Sequence, residues 1–369
     1  MNTGLGNNFF LSWVFLCPLR KRYNRCMKLK IFIFVLSIFT SNLTYSKEYL
    51  IGFGSCIDQE FPQPIWKSIE SKDVDAFMFL GDNVYGDVPS GDLKKLKESY
   101  LVQASKFPKW LKEKKVISIW DDHDYGINDG GADFKNKREA QKLFLNFWDI
   151  PKDDIRRSRD GLYFNEILDI EGFKINLIVL DTRFFRSKLT SDRFPYTSTD
   201  NPDTTVLGDV QWKWFEEVIE MESDLILVLS SIQVLATEHV FERWNLFPHE
   251  RSKIIKILDS VETKSLIISG DRHKGGLYKK GSLVELTSSS LNKPVKAARI
   301  SNILKYVPEF IVNFIPKSTR ELLVENDKLL TTEIYNFENF GLIKINTESE
   351  EVEISLNDIN GDDIFSDKI

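Results

Sequence analysis

The chain has 369 residues, 42% hydrophobic and 28% charged, which is the composition of a globular protein with material for a sizeable core. Its formal net charge of −6 is mild and gives no reason to expect a nucleic-acid partner, whose recognition needs a clustered basic face. With three cysteines and four histidines in all, the position of each one is informative.

Residues 1–46 read as a leader. From Met27, "MKLKIFIFVLSIFTSNLTYSKEY" has a basic start, an apolar stretch from Ile31 to Thr40, and Thr44 and Ser46 at the −3 and −1 positions of a small-residue cleavage site. The apolar stretch is shorter than the roughly 20 residues that span a bilayer, which favours a cleaved secretory signal peptide over a retained anchor. Met27 reads as the true start and the preceding piece as a gene-start artefact. The expected location is periplasmic or extracellular, with no stable membrane span after cleavage. Cys17 and Cys26 lie in the leader, so the exported chain keeps only Cys56 and makes no internal disulfide. That thiol is either an inert core residue or a ligand.

Residues 47–369 read as one domain. "EYLIGFG" is a strand, "PIWKSIESK" a short helix and "VDAFMFLG" a second, buried strand. Helical patterns run through residues 92–113, and "KVISIWDDH" is a third strand ending in acids. "DFKNKREAQKLFLNFWDI" has helical apolar spacing, and "GLYFNEILDIEGFKINLIVLDTR" is a hairpin turned at Glu171–Gly172. After the loop "SKLTSDRFPYTSTDNPDTT" come the helix "DVQWKWFEEVIE", the strand "DLILVLSS", a helix near "PHERSKIIKILDS" and the strand "SLIISGD". Strands separated by helices indicate an α/β core. From about residue 320 the pattern changes to period two, the mark of closing antiparallel strands.

Four strand exits carry polar residues in one fashion: "GFGSC" (52–56), "FLGDNVYGD" (79–87), "IWDDHDYGIND" (119–129) and "IISGDRHKGG" (267–276). In an open α/β sheet, ligands bind outside the carboxyl ends of the strands, so neighbouring strands would bring these loops to one crevice. A thiol, a tyrosine, several carboxylates and two histidines would then meet. Crowded carboxylates cannot all stay ionised without cations or raised pKa values, and multivalent metals resolve the conflict. Hard oxygens suit calcium, magnesium or manganese; thiolate, phenolate and imidazole suit a transition metal. The mixture predicts more than one ion, with Asp82 as a bridging carboxylate. His239 and His249 lie outside these exits and read as structural, His249 at a helix start beside Pro248.

With those motifs in view, the chain resembles the alkaline phosphatase D (PhoD-like) family of calcineurin-like metallophosphoesterases, over roughly residues 48–292. The resemblance rests on "FGSC", "FLGDNVYGD", "WDDHDYGIND", "LDTR" (180–183), "LGDVQWKW" (207–214), "ERWNLFPHER" (242–251) and "SGDRHKGGL" (269–277), in that order. It implies a layered sandwich of mixed β-sheets flanked by helices, with the metal site at the carboxyl ends of the strands. It implies Fe(3+) and Ca(2+), other divalent metals remaining open, with Cys56 and Tyr85 on the iron and Asp82 bridging. Asp122 stands where the wider superfamily has a metal-binding asparagine, and His123 matches the histidine that contacts the phosphoryl group. Asp271 then faces the second metal and His273 the first. The superfamily's further histidine is missing after "LILVLSSIQ", where Ser231 and Gln233 are the substitutes on offer.

The activity this implies is alkaline-phosphatase-like hydrolysis of phosphomonoesters or phosphodiesters by direct in-line attack of a metal-bound hydroxide. His123 would protonate the leaving alkoxide, with Arg272 and Arg183 on the non-bridging oxygens. The expected partner is a small phosphoester or phosphodiester substrate, and a monomer is favoured. A serine hydrolase is the first rival, but "TSSSLN" (287–292) has no G-x-S-x-G elbow. A non-catalytic, exported calcium-binding protein is the second. The apolar and basic stretch within residues 293–330 reads as core packing rather than a lid or a membrane-proximal face.

Overall fold

Alternate residues of each strand go to opposite faces, and here both faces are covered. The computed structural model describes residues 48–191, 195–239, 241–295 and 327–369. The leader, with its signal-peptide and start-site expectations, and the segment 296–326 lie outside the described residues.

The first sheet places β1 (Glu48–Gly54) beside β2 (Ala76–Leu80) and β2 beside β3 (Lys115–Ile119), all parallel. On its other side β1 pairs antiparallel with β10 (Asn339–Asn346), followed by β11 (Glu351–Asp358) and β12 (Asp363–Lys368). The second sheet runs β4 (Phe164–Ile170), β5 (Phe173–Val179), β6 (Leu225–Ser230), β7 (Ser265–Ser269), β9 (Leu283–Ser288), β8 (Gly275–Lys280).

Ile51, Phe53 and Met78 of the first sheet share one core with Leu177, Leu227 and Ile268 of the second, so the two sheets face each other. The outer face of the first carries Phe77 and Phe79 under Trp66 and Ile69 of α1 (Ile65–Ser71). The outer face of the second carries Ile226 and Val228 under Phe215 of α5 (Gly208–Val218) and Ile254 of α6 (Pro248–Ser260). Between β2 and β4 the chain builds α2 (Lys94–Lys106), the one-turn α3 (Asp122–Tyr125) and α4 (Lys137–Phe147), which close around Trp120 and Tyr125. The result is the expected α/β sandwich of two mixed sheets flanked by helices.

Two expectations need correcting. The strand "SLIISGD" is β7, in the sheet opposite β1–β3, so the four exits meet across the sandwich and not along one sheet edge. The helical run 92–113 breaks at Pro108, which lacks an N–H to continue α2, and resumes as a 3-10 turn over Lys109–Glu113. β8 and β9 lie where the sequence reading assigns no element, and Thr287 and Ser288 of the serine-rich stretch end β9. The hairpin turn does fall on Glu171 and Gly172, both with positive φ. No helix among the described residues is long and apolar enough to cross a membrane.

Candidate metal centre

Because β1, β2 and β3 are parallel neighbours, their carboxyl ends deliver Cys56, Asp82 and Asp121–Asp122 side by side. β7 delivers Asp271 and His273 from the facing sheet. Two glycines permit this convergence. A Cβ on Gly81 (φ 97°) would lie 2.5 Å from that of Asp121, and one on Gly270 would lie 2.6 Å from Ser55 Oγ. The backbone is strained where the loops meet. Of nine non-glycine residues with positive φ among those described, four are Cys56, Asp82, Asp271 and His273. Each such residue costs on the order of 1–3 kcal/mol, a cost that persists where surrounding structure imposes it.

The donor atoms gather into overlapping groups within 4.8 Å of one another: Cys56 with Asp82 and His273, Asp82 with Asp122 and His123, and Asp82 with Asp121, Asp122 and Asp271. Asp82 belongs to all three. Tyr85 Oη donates to Asp82 Oδ2 at 2.9 Å and lies 3.4 Å from His273 Nε2. Cys56 Sγ is 3.5 Å from Asp82 Oδ2. The structure therefore brings together every predicted ligand: Cys56, Asp82, Tyr85, Asp122, Asp271 and His273.

The two histidines have different environments. His273 Nδ1 bonds to the Lys293 carbonyl, which can only accept, so Nδ1 carries the proton and Nε2 faces the donors as a lone pair. Burial lowers its pKa to about 4, which keeps it neutral and fit to ligate. Burial also lowers His123, but Asp122, Asp82 and Asp87 outweigh it and hold that imidazole charged. Asp87 accepts from His123 Nδ1 at 2.7 Å.

The carboxylates respond to the crowding. Burial pushes Asp82 and Asp271 well above the usual range, and the neighbouring Asp121 and Asp122 push both further. Burial raises Asp121 to about 6 against the pull of Arg183. For Asp122, His123 and Arg183 outweigh burial and hold it down to about 2. Burial and then Asp82 raise the Cys56 thiol and the Tyr85 phenol. Two buried oxygens, Asp121 Oδ2 and Asp122 Oδ1, have no hydrogen-bond partner. Orphaned carboxylate oxygens among acids with raised pKa values fit a site for multivalent cations, which supply the missing positive charge.

Sequence reasoning missed four residues that hold this arrangement. Asp121 adds a fourth carboxylate, its Oδ1 held by Arg183 at 2.5 Å and Ser231 Oγ at 2.7 Å. Glu242 pairs with Arg183 at 2.5 Å and Arg186 at 2.7 Å, all three fully buried. Asp129 donates its backbone N–H to Asp122 Oδ2 at 2.7 Å. Asp87 holds His123. Adjacent acids in "DDH" and the second acid of "GDNVYGD" were visible, but only the folded chain shows which ones turn inward.

Arg183 is not where the phosphoryl role expects it. It lies wholly beneath the site between Asp121 and Glu242, because two buried acids need its charge. Arg272 does line the cavity of about 480 Å³ above the centre, with Asp122, His123, Asp271 and His273. Ser231 reaches Asp121, while Gln233 bonds to Thr287 at 2.8 Å away from the donor groups. His239 is buried, and His249 bonds to the Thr204 carbonyl at 2.6 Å from the start of α6. The serines of "TSSSLN" form no nucleophile dyad: Ser288 bonds to Asn339, and Ser289 lies against the Cys56 sulfur and the backbone N–H of His273.

A family model described as PhoD-like phosphatase matches residues 99–356, more than half the chain. That span includes Asp122, His123, Asp271 and His273, while Cys56, Asp82 and Tyr85 precede it. Among curated proteins, none matches the chain. The fold is similar to a solved structure of PhoD, with a TM-score of 0.62 and 16% identity over 84% of this chain. The chain spans 65% of the length of that structure. It is also similar to GAP50, the anchor in the inner membrane complex of Plasmodium, with a TM-score of 0.55 and 11% identity over 87% of this chain and 88% of that one.

Proposed function

Because the chain belongs to the PhoD-like phosphatase family, we propose that it hydrolyses phosphate esters at this centre after export, acting on phosphomonoesters or phosphodiesters. Fold alone would not carry this reading, since similar architecture serves unrelated roles. The observation that carries it is the single carboxylate, Asp82, common to two donor sets of different chemistry.

Cys56, Tyr85 and His273 with Asp82 would hold a transition metal, iron by the resemblance, and Asp82 with Asp121, Asp122 and Asp271 a hard divalent ion such as calcium. Cations held there would supply positive charge to polarise the ester and lower the pKa of a water, the chemistry that in-line attack requires. Asp121 takes the part of the superfamily histidine missing after "LILVLSSIQ". His123, charged and held by Asp87, gives its proton to the leaving alkoxide. Asp129 fixes the Asp122 carboxylate from behind. Arg272, on the cavity wall, meets the non-bridging oxygens.

The test is a single turnover of a chiral phosphoester in oxygen-18 water by the metal-loaded protein. Direct attack puts the label in phosphate with inversion at phosphorus. Overall retention would mean a covalent enzyme intermediate and contradict the proposal.

A further inference from the structure

We infer that Ser289 tunes Cys56 as a metal ligand by donating a hydrogen bond to its sulfur. The inference rests on the reading above, that the thiolate holds a cation. It assigns a positioning role to a residue that sequence reasoning placed only in a rival serine mechanism.

Ser289 is fully buried, with its Oγ 3.2 Å from Cys56 Sγ. The same oxygen accepts the backbone N–H of His273 at 2.9 Å. A hydroxyl has one proton and two lone pairs, so that contact uses a lone pair and leaves the proton. Once Cys56 is a thiolate its sulfur has nothing to donate. The hydroxyl proton then points at sulfur, the remaining hydrogen-bond partner of Ser289 among the described residues. Ser55 Oγ is also 3.5 Å from the sulfur, but it donates to the Ser288 carbonyl at 3.4 Å.

One hydroxyl thus touches two ligands from different sheets, the thiolate after β1 and the histidine after β7. A hydrogen bond to a ligating sulfur withdraws charge from it, and such bonds set the redox potential and charge-transfer energy of thiolate metal sites. In this account Ser289 makes Cys56 a weaker electron donor to its metal and fixes the approach of His273.

Cobalt(II) is a suitable probe, because its thiolate charge-transfer absorption reads the sulfur directly, whatever the native metal. Full-length protein is stripped, loaded with Co(II), and its spectrum and cobalt affinity are measured. Ser289→Ala is expected to move the sulfur-to-cobalt band to longer wavelength and, because the His273 N–H loses its acceptor and that ligand its approach, to weaken cobalt binding by about 10–100-fold. Ser289→Thr, which keeps the hydroxyl, restores the band, and Ser55→Ala leaves it in place. In the unsubstituted protein, exchange into D2O shifts the cobalt–sulfur stretch in the resonance Raman spectrum, and Ser289→Ala reduces that shift. A band that Ser289→Ala leaves unmoved at full loading, or that Ser55→Ala moves as far, overturns the inference alone. An unsubstituted protein that binds no cobalt through sulfur overturns the metal-site reading with it.

Discussion

On one side of Asp82 the neighbours are a thiol, a phenol and an imidazole; on the other they are three more carboxylates. Both sides are buried and both use residues from facing sheets, yet their donors belong to different metal chemistries. Their supports differ too. The carboxylate side is braced by buried charge, through Arg183, Glu242 and Arg186, and by the N–H of Asp129. The thiol and imidazole ligands are instead held by neutral groups, Ser289 and the Lys293 carbonyl, with the Lys293 ammonium over the Tyr85 ring as the nearby charge. Acids that must stay ionised near one another need a fixed cation beneath them, whereas a thiolate and a neutral imidazole need orientation.

The largest effect is expected where the two sides meet. Asp82→Asn should lose both metals and reduce ester hydrolysis to background, because no other residue belongs to every donor set. Retention of either metal at full stoichiometry would separate the sides and break the comparison. Next comes the acid. His123→Ala should lower kcat by roughly 10²–10⁴ with both metals retained. Asp87→Asn should cost about tenfold, and the loss in both should be smaller for esters with good leaving groups. Equal losses across leaving groups would remove His123 from the proton-transfer role.

A selective effect follows. Cys56→Ser should deplete the transition metal and spare the hard ion, and Asp122→Asn should do the reverse, as read by elemental analysis. Loss of both ions in each variant would mean one cooperative cluster rather than two unlike halves.

The smallest effect lies outside both sides, at His239. Burial, then Arg272, Arg243 and Lys274, hold its imidazole well below the ordinary value. The unfolded chain takes up a proton below about pH 6.5 and the folded chain does not, so this contribution is intact above that pH. It is then lost as pH falls, at about 1.4 kcal/mol per pH unit at most. His239→Gln should flatten the fall in denaturation midpoint between pH 6.5 and 5; an unchanged slope would exclude His239 as its source.

Much of this was legible in the sequence because strand exits announce themselves. Apolar runs ending in Gly-Ser-Cys, Gly-Asp or Asp-Asp marked β1, β2, β3 and β7, and the resemblance supplied the six expected ligands that the structure brings close together. The sandwich geometry was not legible in those runs, since periodicity assigns a strand without naming its sheet. Nor were the supports. Arg183 reads in "LDTR" like a substrate-binding arginine, and only burial between Asp121 and Glu242 shows otherwise. The role of Ser289, one of three serines weighed only for a rival hydrolase, was equally hidden, because a hydroxyl's partner is set by tertiary contact rather than by its neighbours in the chain.

The central claim is that unlike cations at one shared carboxylate make this chain a phosphoesterase. Its most direct test is hydrolysis of p-nitrophenyl and bis-p-nitrophenyl phosphate by freshly purified protein, with metals quantified on the same sample before and after chelation. A transition metal together with a hard divalent ion, and activity that disappears on their removal and returns on reloading, is the predicted result. Undiminished hydrolysis by protein stripped of both would contradict the account.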